Sequence, residues 1–149
     1  MGGEQVNTTI IGIDPGKHGA IAMVQPMTEV WELPDSPADL RYLIYNSLML
    51  SGVDNMRVYL EKAQAMPGQG VSSMFKYGQG FGRIEGVLGA LGIATRTVAP
   101  AVWKKAMGVT ADKNTSRTLA RQLFPEARIT RSDHAEALLL AEFGRRQQG

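Results

Sequence analysis

The chain has no cysteine, which excludes disulfide cross-links and any thiolate chemistry, catalytic or metal-binding. No apolar run approaches the roughly 20 residues that a membrane helix needs, so a membrane partner is not expected. Met1–Asn7 lacks the features of a signal peptide, and a reducing cytoplasm, bacterial or that of a phage-infected host, is the expected location, with an organelle as the alternative. There is no internal repeat, no low-complexity tract and no like-charge block long enough for a disordered tail. Two histidines among 149 residues leave little material for a histidine-rich metal site.

What remains is an ordinary globular composition, 44% hydrophobic and 20% charged. That length can bury a real core, and one domain over residues 1–149 is expected, with residues 1–7 as a flexible N-terminus. The net charge of +2 hides an asymmetry. Residues 1–92 carry 6 basic and 9 acidic side chains (−3), and residues 93–149 carry 10 basic and 5 acidic (+5). The second part is therefore the better candidate for meeting a polyanion.

Thr8–Asp14 reads as a buried strand, Ala20–Gln25 as a second and Glu29–Leu33 as a third, a meander. Ser36-Pro37 starts a helix with Leu40, Leu43, Ile44 and Leu48 on one side. Arg57–Glu61 alternates as a strand, and the loop from Lys62 to Val71 follows, broken by Pro67, Gly68 and Gly70. A long helix over Ser72–Leu91 places Met74, Tyr77, Phe81, Ile84, Leu88 and Leu91 on one face. Beside that face runs a stripe of Gly78, Gly82, Gly86 and Gly89. Interior glycines cost about 1 kcal/mol each, so a close backbone approach is expected to offset them, either tight packing on the domain's own sheet or contact with a partner. Thr95–Val98 reads as a strand and Pro100–Met107 as a short helix. Asn114 or Thr115 is expected to cap a helix to Phe124, with Leu119, Ala120 and Leu123 inward. Asp133 opens the last helix.

Two strands end on acids, Asp14 and Glu61, with a crossover helix between them. If those strands are parallel neighbours, both acids lie at one sheet edge, where open α/β sheets place ligands. Asp133 and Glu136 are three apart on the last helix and share a face. Four carboxylates gathered without cations would repel, and hard divalent cations with oxygen ligands remove that difficulty. Each acid also has a plain alternative. Asp14 in Asp-Pro-Gly could form a turn, Glu61 could pair with Lys62, and Asp133 with Glu136 has the arrangement of a capping box. His18 suits a solvated loop, and His134 points about 100° away from Asp133 on a helix, although a proton-transfer role stays open. Trp103, beside Lys104 and Lys105, could stack on a base or serve as a buried anchor.

The order IIGIDPGKHGAIAMV, VYLEK, GQGFGRIEGVLGALGI, ADKNTSRTLARQLFP, SDHAEALLLAEFG resembles the RuvC-like Holliday junction resolvases, from about Thr8 to Gly144, and most closely their phage and organellar branch. The resemblance implies an α/β, RNase H-like fold: a five-stranded mixed sheet flanked by helices on both faces, in a homodimer. It puts the catalytic, metal-binding acids at Asp14, Glu61, Asp133 and Glu136. The last is a departure, since aspartate is frequent there. DNA contacts are implied at Lys62 and Met66 in the loop after Glu61, and at Lys104 or Lys105 and Lys113, with Arg117 and Arg121 continuing the Lys113 face. The family's junction-probing loop carries an aromatic; here Met66 stands instead.

The function expected is therefore structure-selective cleavage of four-way DNA junctions by paired symmetric nicks. Two Mg²⁺ ions, for which Mn²⁺ is expected to substitute, would lie about 4 Å apart, activating water and stabilising the leaving oxygen. No nucleotide cofactor is expected. The rivals are another RNase H-like nuclease acting on flaps or RNA–DNA hybrids, and a non-catalytic junction-binding module. An actin-like sugar kinase shares Gly-Ile-Asp-x-Gly but needs two such domains, for which this chain is too short.

Overall fold

A computed structural model describes residues 8–64 and 68–148. Among them, five strands form one mixed sheet in the order β3-β2-β1-β4-β5. The strands are β1 (Thr9–Asp14), β2 (Ala20–Gln25), β3 (Glu29–Glu32), β4 (Met56–Glu61) and β5 (Ala94–Val98). The meander is present: β2 runs antiparallel to β1, and β3 antiparallel to β2. β4 lies parallel to β1 with Ile13 beside Leu60, and β5 parallel to β4. The crossover from β3 to β4 carries α1 (Pro37–Leu48), whose start is fixed by the Ser36 side chain accepting from the Asp39 amide at 3.0 Å.

Side-chain alternation then sorts the sheet into two faces. Ile11 and Ile13 of β1, with Val58 and Leu60 of β4, pack against α1 and α2 (Val71–Ala90). Ile10 and Tyr59 point the other way, into the core made with α3 (Pro100–Met107), α4 (Lys113–Leu123) and α5 (Ser132–Gln147). The fold is the expected RNase H-like one, a mixed five-stranded sheet with helices on both faces.

α5 is buried along its length, from His134 to Gly144. It rests on β1 at Gly12, where a Cβ would land on the Ala137 carbonyl oxygen and the Ala141 amide nitrogen. Near its other end, a Cβ at Gly144 would enter the Tyr59 ring. Small residues at these points let the α5 backbone meet β1 directly at Gly12 and the Tyr59 ring at Gly144.

Several local expectations are corrected. The α4 cap is Asp112, which accepts from the Asn114 amide at 2.9 Å, rather than Asn114 or Thr115. Leu123 is exposed, while Ala120 and Phe124, four residues apart, take the inward line. α5 starts at Ser132 after Arg131, with no side-chain cap bond, so Asp133 and Glu136 do not form a capping box. On α2 only Ile84 and Leu88 are buried, and Met74 is exposed. The glycine stripe does not pack on the sheet. A Cβ at Gly78, Gly82, Gly86 or Gly89 would meet nothing within 4 Å.

Candidate metal centre

Alternation along β1 carries Ile10, Gly12 and Asp14 to the α5 face, and along β4 it carries Tyr59 and Glu61 there too. Ala137 of α5 sits on Gly12, and Asp133 lies one helical turn before it. Two strand residues advance about 6.6 Å and one helical turn about 5.4 Å. A helix lying antiparallel on the strand therefore brings Asp133 level with Asp14. Glu136 projects from the same turn.

Asp14, Asp133 and Glu136 each offer a carboxylate oxygen, and those oxygens lie within 4.8 Å of one another. Asp14 and Glu136 are buried, and Asp133 is partly open. Burial pushes the Asp14 carboxyl up to about 8, with the charges of Glu61, Glu136 and Asp133 adding to the rise. The Gly16 amide donates to Asp14 Oδ1 at 3.0 Å and works against it. That turn is tight enough that Pro15-Gly16 serves the acid as well as the chain reversal. The Asp-Pro-Gly turn is present, and it leaves the Asp14 carboxylate beside Asp133 and Glu136.

Glu61 is not a member of that trio. The Trp103 indole Nε1 donates to its Oε2 at 2.8 Å. Burial raises the Glu61 carboxyl, and the Trp103 bond opposes that rise. Trp103 is fully buried. It is an anchor, not a platform for a base, and it holds Glu61 rather than leaving it to Lys62, which is exposed.

Of the basic residues expected to contact DNA, two reach the acids. Lys113 Nζ lies 3.1 and 3.3 Å from the two Glu136 oxygens, and Lys104 Nζ 3.7 Å from Oε1. Burial lowers the Lys113 ammonium, but the charge and hydrogen bonds of Glu136 more than offset it, leaving it raised. Lys105 is exposed on α3. Arg117 bonds the Asn114 side chain, and the Arg121 guanidinium donates to the Ile129 carbonyl at 3.4 Å. Met66 lies outside the described residues, as do residues 1–7. In the described part of the loop there is still no aromatic. The first exposed aromatic after it is Phe75, in the opening turns of α2.

His134 turns away from the trio. The Thr130 amide donates to its Nδ1 at 3.2 Å, so Nε2 carries the proton toward Glu32 Oε1 at 2.7 Å. That hydrogen bond holds the Glu32 carboxyl below its ordinary range. A proton-transfer role at the acids does not follow from this position.

Sequence reasoning missed Arg131. It donates to the His18 carbonyl at 2.9 Å and to that of Gly19 at 3.3 Å, pairs with Glu32, and lies 3.6 Å from Asp133 Oδ2. One guanidinium thus ties the β1–β2 turn, the sheet edge and a trio acid together. Its place just before Ser132-Asp133 was the only available signal.

Three carboxylates converging on one small volume, with a fourth beside them, make a donor set suited to a hard divalent cation. No family model matches the chain, and no curated protein does. Among solved structures it is similar to RuvC from T. thermophilus in complex with a Holliday junction substrate, with a TM-score of 0.66 and 18% identity over 94% of this chain and 96% of that one. A second similar structure, RuvC from Thermus thermophilus, gives a TM-score of 0.62 and 18% identity over 95% and 97%. At such identity the likeness is one of fold.

Proposed function

We propose that the protein is a divalent-metal-dependent endonuclease that cuts branched DNA, with the four-way junction as its preferred substrate. The observation that carries this reading is the convergence of Asp14, Asp133 and Glu136 within 4.8 Å on an RNase H-like fold. Support for the substrate comes from the likeness to a RuvC solved with a Holliday junction. The quoted motifs point to the phage and organellar branch of that family, and the whole of 1–149 is read as one nuclease domain.

Asp14, Asp133 and Glu136 would hold Mg²⁺, with Glu61 completing the shell from its Trp103-fixed position. Bound divalent cations supply water activation and charge neutralisation at the scissile phosphate. The chain's own residues do the rest. Lys104 and Lys113, already at the acids, would meet the phosphate, while Lys62, Lys105, Arg117 and Arg121 would position the flanking backbone. The exposed face of α2, with Val71 and Phe75 beside open glycines, supports pairing with a second copy. A twofold dimer matches the symmetry of paired nicks.

Cleavage of a mobile four-way junction, a flap, a linear duplex and an RNA–DNA hybrid, each with and without Mg²⁺, tests the reading. Metal-dependent paired nicks confined to the junction are expected. Preferential cutting of the flap or hybrid would assign a different nuclease, and junction binding without nicking would assign a binding module.

A further inference from the structure

The trio is not evenly supplied with partners. Asp14 receives a backbone amide and Asp133 a guanidinium at 3.6 Å. Glu136 instead has both oxygens engaged by one ammonium, Lys113, with Lys104 close behind. Glu136 is almost fully buried, so its charge has to be balanced where it stands.

Lys113 is placed to let go. It occupies the first position of α4, whose start is held independently by Asp112. Its side chain is 53% exposed, against 5% for Glu136. A lysine stem has four rotatable bonds and a strongly hydrated head, so the ammonium can swing to solvent without moving the helix. An ammonium set across both oxygens repels a divalent cation and competes with it for the same carboxylate.

We propose that Lys113 is a built-in counter-ion that neutralises Glu136 in the cation-free site and has to be displaced before a divalent cation can use the Glu136 oxygens. The inference rests on the metal reading above and adds an order of events to it. A cation held by Asp14 and Asp133 does not compete with Lys113, whereas one that takes Glu136 does. A DNA phosphodiester is the chemistry that would draw the ammonium off, being an anion that an exposed lysine readily meets. Full cation loading then becomes conditional on substrate.

Mn²⁺ titration of the DNA-free protein, followed by loss of the free-ion electron paramagnetic resonance signal, tests this without reference to activity. Lys113→Met should gain a further Mn²⁺ per chain, or bind its weakest ion at least about tenfold more tightly than the unmodified protein. Lys113→Gln, read the same way, guards against an effect of the apolar side chain alone. Lys113→Arg keeps the charge and should titrate as the unmodified protein does. Equal ion counts and affinities in the Met variant and the unmodified protein would overturn the inference and leave the metal centre standing, as would an Arg variant that gains what the Met variant gains. If none of these proteins binds Mn²⁺ at millimolar concentration, the metal centre falls, and the inference with it.

Discussion

The two faces of the sheet carry helices under opposite conditions. α5 is enclosed by the sheet on one side and α3 and α4 on the other, and its burial is continuous from His134 to Gly144. α2, longer by four residues (20 against 16), buries only Ile84 and Leu88 and shows Val71 and Phe75 to solvent. Both helices contain small residues, but with opposite consequences. On α5 they admit β1 at Gly12 and the Tyr59 ring at Gly144, and on α2 they face open space. A glycine or alanine in a helix therefore says nothing about function until its neighbour is known. The face that packs densely holds all three converging acids, and the face that packs loosely leaves much of α2 open to solvent.

The comparison breaks most sharply at the acids. Asp14→Asn should cost more than about 100-fold in junction cleavage, beyond what loss of an outer-shell partner costs, while metal-free junction binding measured by gel shift persists. Trp103→Phe, which removes the donor to Glu61 together with part of a fully buried ring, should lower cleavage or Mg²⁺ affinity by about 10–100-fold, read from a metal-dependence curve. Gly12→Ala forces α5 off β1 and should cost about 1–3 kcal/mol or more in urea unfolding. The same substitution on the other side, Gly82→Ala, meets nothing, and should leave the monomer unchanged or stabilise it by up to about 1 kcal/mol. A destabilised Gly82→Ala monomer would erase the distinction between the faces.

A smaller effect sharpens the electrostatics. Asp14 is raised from 3.8 to about 8, so between those values the folded chain holds a proton that the unfolded chain releases. Stability in chelator should then fall as pH climbs through that window. Asp14→Asn removes the term, so its metal-free Tm should exceed that of the unmodified protein, and by more at pH 8 than at pH 5. Mg²⁺ should narrow the gap, because cation binding favours the ionised carboxylate.

Much of the frame was legible. Apolar runs located β1 and β2, alternation located β4, Ser36-Pro37 marked α1, and Pro100–Met107 was read at its actual bounds. The crossover between two acid-ended strands gave the parallel β1–β4 pair. These are local or periodic signals. The pairings that shape the site are neither. Trp103 meets Glu61 across 42 positions, and His134 meets Glu32 across 102, with no recurring pattern to announce them. The indole that fixes Glu61 beside the other three acids could not be foreseen for that reason: it comes from another helix. The α4 cap was misplaced because Asp112, Asn114 and Thr115 can all cap, and it is the Asp112 side chain that takes the Asn114 amide in the folded chain.

The seating of α5 at Gly12 and Gly144 bears on the thermodynamics of the site. A helix resting on flexible side chains can slide as rotamers change, but one whose backbone sits on Gly12 and whose Gly144 sits against the flat Tyr59 ring has little such freedom. The spacing of the strand-borne and helix-borne carboxylates is thus fixed when the chain folds. Cation binding would bury little further apolar surface, so its heat-capacity change should be close to zero. Its measured heat would come instead from stripping water off the ion and protons off the acids.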